Sequence, residues 1–355
     1  MVRMRQGTIV TDNSLLADLG WQPFFQQQLN LEELEQLTPA RVVEQHRSLF
    51  ELATAGRSTS LPVAPTLPPL TVGDWVLLDP SAKFVRRLDR KSCFKRKAAG
   101  SQLAEQLIAA NIDTAFIVCS LNDDFNLSRI ERYLAMVKEA GVTPVIVLSK
   151  ADLCDDPGPS CAEVQALDPL LCVEPVNCLE RTSIGALLPW CRAGETLVML
   201  GSSGSGKSTL SNALLGANIQ DTGSIREDDS KGRHTTTRRS LLLMPGGAMI
   251  LDTPGMRELQ LTDCEQGIEL AFADISALAI GCRFNDCQHE AEPGCAVQQA
   301  IESADLDERR LNNYRKLLRE QAHNSASFAQ QRARHREFAK HVKRMHKERK
   351  HMLGE

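Results

Sequence analysis

GSSGSGKS, residues 201–208, fits the phosphate-binding pattern G-x-x-x-x-G-K-[ST]. The apolar run from Thr196 to Leu200 precedes it and predicts a buried strand, and Ser208 to Leu215 predicts the helix that follows. In such a loop the backbone N–H groups and the positive end of the helix dipole bind phosphate. Strand, loop and helix in this order predict a P-loop nucleotide-binding domain of the α/β class.

The loop also predicts individual roles. Lys207 is expected to reach the β- and γ-phosphates and to act in catalysis, and the Ser208 hydroxyl is expected to ligate Mg²⁺. The alternative is a glycine- and serine-rich loop without a ligand. The nucleotide-binding residues predicted here are Gly201, Ser202, Ser203, Gly204, Ser205, Gly206, Lys207, Ser208 and Thr209.

A guanine-reading motif precedes the phosphate loop instead of following it. A second apolar run, Val145 to Leu148, is followed directly by Ser149, Lys150 and Asp152. These three residues resemble the motif N-K-x-D, with serine in place of asparagine. The Asp152 carboxylate can accept hydrogen bonds from guanine N1–H and the N2 amine, whereas adenine offers neither donor. Asn177 and Cys178 follow a third apolar run and are either contacts to the guanine oxygen or an ordinary turn. This motif order predicts a circularly permuted GTPase.

Two further segments complete the expected site. Asp252 to Gly255 read DTPG after an apolar strand, so Asp252 is expected to hold the Mg²⁺ shell through water and the Gly255 N–H to meet the γ-phosphate. Residues 232–239, GRHTTTRR, form a polar segment that suits a γ-phosphate-sensing switch, with Thr236 as a second Mg²⁺ ligand. The alternative for this segment is a threonine-rich solvated loop.

Three cysteines and one histidine predict a second chemical centre. They are spaced C-x4-C-x-H-x5-C, and three thiolates with one imidazole complete a tetrahedral Zn²⁺ shell that leaves no open position. A structural zinc is therefore expected, with unliganded cysteines as the alternative. The predicted ligands are Cys282, Cys287, His289 and Cys295.

Charge and composition restrict the location and the partners. Among 355 residues there are eleven cysteines, no apolar signal-peptide centre and no run of 18 apolar residues, so we expect a cytoplasmic protein without a membrane contact. The net charge is −4, yet residues 331–350 carry +7 and the rest −11. This tail and the basic run from Lys83 to Lys97 indicate a polyanion-binding surface or, for the tail, a solvated helix face.

The chain divides into four predicted segments. Alternating strand-like and helix-like stretches after Thr114 predict a parallel sheet, and Asn126 to Ala140 predict an amphipathic helix capped by Asn126. The short β-like runs before that point favour a small barrel. The expected fold class is α/β, with a permuted P-loop GTPase domain, a small β-barrel before it and a helical zinc-binding domain after it. The bounds are an extension at 1–38, the barrel at 39–98, the GTPase domain at 99–262, and the zinc domain with its basic tail at 263–355.

Several of these motifs together resemble the ribosome small-subunit-dependent GTPase A family, RsgA or YjeQ. The matching pieces run from about residue 39 to residue 300 and are VGD 72–74, ANID 110–113, DFNL 124–127, GRHTTT 232–237, DTPG 252–255 and the cluster through Cys295. The resemblance implies that the barrel is an OB-like β-barrel, followed by a circularly permuted GTPase domain and a C-terminal zinc domain. We therefore expect a monomeric GTPase that binds GTP, GDP, Mg²⁺ and one structural Zn²⁺. It further implies that the protein acts on the small ribosomal subunit and its rRNA late in assembly. Ser149, the first 35 residues and the long tail depart from the family pattern, which leaves open a paralogue with a different RNA target.

The resemblance also suggests His234 as the group that positions water. Met256 stands where Ras-like proteins have their water-orienting glutamine, so slow basal turnover is expected. Two other functions remain open: a P-loop kinase or ATPase, which would not need Asp152, and an RNA-binding zinc protein with an inactive nucleotide site.

Overall fold

The computed structural model describes residues 13–97, 105–122, 124–216, 239–252 and 264–325. Its strands are β1 (Thr38–Gln45), β2 (Leu49–Ala53), β3 (Ser58–Pro62), β4 (Trp75–Leu78), β5 (Phe84–Arg87), β6 (Cys93–Lys97), β7 (Glu105–Ala110), β8 (Thr114–Ser120), β9 (Thr143–Ser149), β10 (Cys172–Val176), β11 (Thr196–Leu200), β12 (Arg239–Leu243) and β13 (Met249–Asp252).

Six of the eleven α-helices that the described residues form lie in the second half of the chain. The eleven helices are α1 (Asn13–Asp18), α2 (Pro23–Gln26), α3 (Leu31–Gln36), α4 (Leu127–Glu139), α5 (Gly158–Gln165), α6 (Arg181–Ile184), α7 (Lys207–Leu215), α8 (Glu265–Ala271), α9 (Ala273–Ala279), α10 (Ala296–Glu302) and α11 (Glu308–Ser325). Among the described residues, no helix has both the length and the apolar character that crossing a bilayer requires.

A parallel sheet forms the centre of the molecule. Its strands lie in the order β10-β9-β8-β11-β13-β12, and every neighbouring pair is parallel except β12 with β13. Every residue of β8 is buried, because apolar side chains on both faces meet helices or neighbouring loops. The strands predicted at residues 145–148 and 196–200 are confirmed as parts of β9 and β11.

Helix α4 packs against this sheet. The Asn126 side chain caps it by accepting a hydrogen bond from the Arg129 N–H at 2.9 Å, as the sequence predicted. Ile130, Leu134 and Val137 are buried on the face toward the sheet. The predicted amphipathic helix is therefore confirmed, and it ends at Glu139 with Ala140 as its cap.

The first five strands are antiparallel and lie in the order β3-β2-β1-β4-β5. Strand β1 also pairs with β12, with Glu44 opposite Ser240 and Gln45 opposite Arg239, so these strands and the parallel sheet form one 11-stranded sheet. Within the described ranges no pairing between β3 and β5 closes a barrel. The OB-like barrel therefore stays a prediction.

The described part of the N-terminal extension packs on β4. Trp21 lies edge-on to Trp75 with ring centroids 4.8 Å apart, and Phe25 packs beside both rings. The extension thus buries one face of β4, and the apolar core of the neighbouring strands buries the other. The sequence did not predict this role for the extension.

The C-terminal helices attach to α4 through a buried carboxylate. Glu131 is fully buried and accepts hydrogen bonds from Arg309, Arg310 and Asn313 of α11. Apolar contacts surround the network, because α8 and α11 both pack against α4. The zinc-domain helices are thus joined to the central sheet by an ion-pair network and by a continuous apolar core.

Candidate functional site

The phosphate loop joins β11 to α7, as predicted. Gly201 has φ 147° and Gly206 has φ 92°, a region that disfavours side chains, and a β-carbon on Gly201 would lie 2.2 Å from the Val118 carbonyl oxygen. The Lys207 ammonium group donates to the backbone oxygens of Gly201, at 2.8 Å, and of Ser202. Ser203 and Gly204 are exposed at the tip, whereas Ser205 is fully buried.

Ser149 lies at the carboxyl end of β9 and contacts the phosphate loop directly. Its buried hydroxyl donates to the Ser205 backbone oxygen at 2.6 Å. The side chain therefore ties the strand that carries Lys150 and Asp152 to the loop that carries Lys207. Serine, like the asparagine of the usual motif, has a hydrogen-bond donor in its side chain. The hydrogen bond between this position and the phosphate loop is therefore present with serine.

Lys150, Asp152 and Cys178 lie together beside the same loop. Lys150 has a left-handed backbone, φ 58°, and begins the 3₁₀ turn that contains Asp152, whose side chain is exposed. The Cys178 thiol is buried, and that burial, aided by the negative charge of Asp152, raises its pKa to about 11. A β-carbon on Gly206 would lie 4.0 Å from the Cys178 sulfur, which places this cysteine between the two motifs.

Asn177 stabilises the turn that contains Cys178. Its side-chain oxygen accepts from the Leu179 N–H at 3.0 Å, and its own N–H donates to the Ser183 hydroxyl at 2.8 Å. The side chain thus serves the turn, and the turn carries Cys178 to the phosphate loop.

Asp124 contacts the phosphate loop, and the sequence did not predict this contact. It follows β8 and accepts from the Ser202 hydroxyl at 2.6 Å and from the Arg129 guanidinium at 2.6 Å. The signal available in the sequence was its position after a buried strand, since parallel strands present their carboxyl ends at one edge of a sheet.

The switch residues are only partly described. Asp252 ends β13 opposite Ser240 of β12, at the same edge of the sheet as the phosphate loop. Ser208 and Thr209 lie in the first turn of α7. His234, Thr236 and Gly255, together with the basic tail at 331–350, fall outside the described residues.

The predicted zinc ligands converge. The Cys282 and Cys295 sulfurs lie 3.9 Å apart, and each lies 3.5 Å from Nδ1 of His289. The ligand atoms of these three residues and Cys287 all lie within 4.8 Å of one another. A tetrahedral Zn²⁺ with ordinary bond lengths requires sulfur–sulfur and sulfur–nitrogen separations of about 3.8 and 3.5 Å. The four residues therefore fit a zinc ion.

Contacts around the cluster fix its orientation. The Cys295 sulfur caps α10 by accepting from the Gln298 N–H at 3.4 Å. The His289 backbone oxygen accepts from Gln298 and from Arg315 of α11, so the ligand loop is held by two helices. Hydrogen bonds to the residues that carry the ligand atoms keep those atoms in position for a metal.

Three of the eight basic residues between Lys83 and Lys97 form ion pairs within the protein. Arg86 pairs with Glu33 at 2.7 Å, and Arg90 pairs with the buried Asp74 at 2.6 Å. Lys91 pairs with Asp113 at 3.0 Å. These ion pairs join the extension and the N-terminal strands to the rest of the chain, a role that a count of charges did not predict.

Comparisons with known proteins decide the family. A family model described as RsgA GTPase matches residues 87–262. A relative from Vibrio parahaemolyticus serotype O3:K6, named small ribosomal subunit biogenesis GTPase RsgA 2, is 61% identical over 333 residues, which cover 94% of this chain and 93% of the relative. The chain belongs to the RsgA GTPase family. A relative from Mesorhizobium japonicum, named small ribosomal subunit biogenesis GTPase RsgA, is 46% identical over 89% of this chain and 93% of its own length.

Solved structures agree on the fold. The crystal structure of YjeQ from Thermotoga maritima superposes with a TM-score of 0.60 and 24% identity, covering 80% of this chain and 98% of that one. YloQ, described as a circularly permuted GTPase, gives 0.57 and 20% identity, covering 82% and 97%. The predicted permuted GTPase fold is confirmed.

Membership of the RsgA GTPase family makes the chain a GTP hydrolase, with GTP, GDP and Mg²⁺ as the ligands that this activity implies. A second family model, described as ABC transporter, matches residues 190–352. This range contains the phosphate loop, a feature that all P-loop proteins share. The match therefore does not indicate whether the bound nucleotide carries guanine or adenine.

Proposed function

We propose that this protein hydrolyses GTP during late maturation of the small ribosomal subunit, and that binding to that subunit and its rRNA accelerates the reaction. The names of the relatives support the ribosomal part of the proposal. The observation that carries the nucleotide part is the Ser149–Ser205 hydrogen bond, which holds the base-reading turn against the phosphate loop. We further propose that the protein works as a cytoplasmic monomer.

Guanine selectivity rests on Asp152 in this proposal. The carboxylate is exposed and lies on the turn beside the phosphate loop, where guanine N1–H and N2–H₂ can both reach it. Adenine would leave it without a donor once the base excludes water. Cys178 and Asn177 supply backbone contacts near the guanine oxygen.

Hydrolysis in this proposal needs six residues. Lys207 binds the β- and γ-phosphates, and Ser208 with Thr236 holds Mg²⁺, which neutralises charge on the phosphates when it is bound. Asp252 would hold the Mg²⁺ shell through water, and the Gly255 N–H would meet the γ-phosphate. His234 positions the attacking water, because Met256 has no group that could do so.

The zinc cluster is proposed to shape an RNA-binding module and to take no part in the chemistry. Four protein ligands leave no coordination position for substrate. The +7 charge of residues 331–350 suits a phosphate backbone. The proposed domains remain the extension at 1–38, the OB-like domain at 39–98, the GTPase domain at 99–262 and the zinc domain at 263–355.

The deciding experiment measures GTP and ATP hydrolysis by the full-length protein with and without purified small subunits. We expect GTP turnover that is slow alone and faster with subunits, and no comparable ATP turnover. Equal rates for both nucleotides would assign the chain to the ATPase class. GTP binding without turnover, even with subunits, would leave an RNA-binding protein with an inactive site.

Two variants assign the residues in the same assay. Asp152→Asn should weaken GTP binding and admit xanthosine triphosphate, since an amide can donate to the xanthine C2 oxygen. His234→Ala should keep nucleotide binding and lose most of the subunit-stimulated turnover, because a water-positioning group acts mainly in the transition state. Wild-type stimulation of His234→Ala would remove the histidine from the mechanism.

A further inference from the structure

The loop between β8 and α4 reaches the phosphate loop through one carboxylate. One Asp124 oxygen accepts from the Ser202 hydroxyl at 2.6 Å, and the other accepts from Arg129 at 2.6 Å. The hydrogen bonds from Arg129 and then from Ser202 hold the pKa of Asp124 below its usual range, and the Lys150 charge acts in the same direction. Asp124 is therefore ionised at neutral pH and lies close to two nucleotide-site segments, the phosphate loop and the base-reading turn.

The carboxylate is itself fixed by its own loop. The Asp124 N–H donates to the Asn122 side-chain oxygen at 3.1 Å, and the same oxygen accepts from the Ser120 hydroxyl at 2.8 Å. Arg129, its cationic partner, belongs to the first turn of α4, where the Asn126 cap holds the backbone. A rigid strand end and a capped helix thus determine where the Asp124 oxygens lie.

Ser149 and Asp124 hold the phosphate loop at two separate points. Ser149 donates to the Ser205 backbone oxygen, and Asp124 accepts from the Ser202 side chain. The backbone between Ser202 and Ser205 consists of Ser203 and Gly204, which are exposed at the tip of the loop. Backbone N–H groups bind phosphate well only when the loop holds them in place before the ligand arrives.

We propose that Asp124 is a positioning residue for GTP hydrolysis, which sets the phosphate loop through the Ser202 hydroxyl. The inference depends on the proposed function only for the assignment of residues 201–208 as the nucleotide site. Asp124 does not touch the phosphates in this account. It acts by fixing the loop that does.

Charge alone predicts the opposite outcome, which makes the inference testable. A carboxylate beside a phosphate site repels the nucleotide, so its removal would tighten GDP binding if electrostatics dominated. If positioning dominates, removal weakens binding and slows turnover together, since the loop contacts phosphate in both the ground and the transition states.

The test measures the Kd of a fluorescent GDP analogue, together with the KM and kcat for GTP, on the full-length protein. We expect Asp124→Ala and Ser202→Ala each to weaken GDP binding by about tenfold, the effect of one charge-assisted hydrogen bond that is partly exposed. The double variant should be no weaker than either single variant. Asp124→Asn keeps an oxygen that can accept from Ser202, so it should stay within about threefold of the wild type.

Asp168→Ala is the matched control. Asp168 accepts a hydrogen bond at 2.8 Å from Lys138, which lies in the last turn of α4. The Asp168 side chain is about as exposed as that of Asp124, and it lies away from the phosphate loop. The variant should bind GDP like the wild type. The preference for GDP over ADP should be unchanged in every variant, because none of them alters Asp152.

Three results would overturn the inference: wild-type GDP binding by Asp124→Ala, tighter binding by that variant, or additive losses in the double variant. Ser202→Ala removes a single hydroxyl and keeps the test valid if Asp124→Ala does not fold. A wild-type protein that fails to bind GDP would instead refute the proposed function.

Discussion

Replacing Arg310 by alanine tests the network that joins α11 to α4. The Arg310 side chain is 6% exposed and donates to the fully buried Glu131 at 2.9 Å. It also donates to the backbone oxygens of Leu167 and Ala271, at 3.1 and 3.0 Å, and to Asp274 at 2.6 and 2.7 Å. Arg310→Ala therefore removes one of the three side chains that donate to a buried carboxylate, and the side-chain donor of two buried carbonyl groups.

The expected loss follows from burial. Removing one member of a buried ion pair costs about 3–5 kcal/mol, because the remaining charge stays out of water. Asp274 is 41% exposed, so solvent screens its ion pair with Arg310. The loss of that ion pair therefore adds little to the free-energy cost. Arg309 still donates to Glu131 and keeps the effect within that range. A loss of this size is a large part of the ~5–15 kcal/mol that stabilises a typical domain.

Hydrogen exchange measured by mass spectrometry is the suitable assay, since a chain of this length need not unfold in one step. Amides of α4 and α11 should exchange roughly a hundred- to several thousandfold faster in Arg310→Ala. Arg319→Ala on the same helix is the control, because the Arg319 side chain is 73% exposed and its ion pair with Glu290 is long, at 3.4 Å. Equal protection of the two variants would refute the role assigned to the buried network.

Three further outcomes are expected. Cys287→Ala should lose the zinc measured by elemental analysis while keeping GDP affinity and basal turnover, because the nucleotide site lies on other elements; loss of basal turnover would contradict a structural zinc. The Arg86 hydrogen bond lowers the pKa of Glu33 from 4.5 to about 2, so its stabilising effect is present above pH 4.5 and is lost as the pH falls toward 2. The difference in Tm between the wild type and Glu33→Gln, followed by tryptophan fluorescence, should shrink over that interval, and a constant difference would exclude the ion pair as its source. Burial keeps Cys178 a thiol at pH 8, so iodoacetamide should modify the exposed Cys172 first, and the reverse order in peptide mapping would contradict the buried position of Cys178.

Local patterns were sufficient to predict the elements that carry the site. Four apolar residues before Gly201 and four before Ser149 indicated buried parallel strands, and Asn126 indicated the start of α4. The spacing of the four zinc ligands indicated one centre, because a short loop brings closely spaced ligands together. These features depend on residues that are near one another in the sequence.

Contacts between distant residues were not predictable in this way. Nothing in the composition of the segment near residue 86 shows that Arg86 pairs with Glu33, which lies 53 positions away. The pairing of β1 with β12 spans 194 positions between Gln45 and Arg239. Asp124 was visible as part of a motif, but its hydrogen bond to Ser202 depends on the order of strands in the folded sheet.

The buried Glu131 also constrains the order in which the protein can be completed during synthesis. Arg309 is made 178 residues after Glu131, a delay of roughly 9–36 s at ordinary rates of translation. Until α11 leaves the ribosome, the Glu131 carboxylate lacks the cations that allow it to be buried, so α4 cannot take its final place against the described helices. A recombinant fragment that ends before residue 308 would keep this defect permanently. A soluble GTPase fragment of this chain should therefore retain residues 308–325.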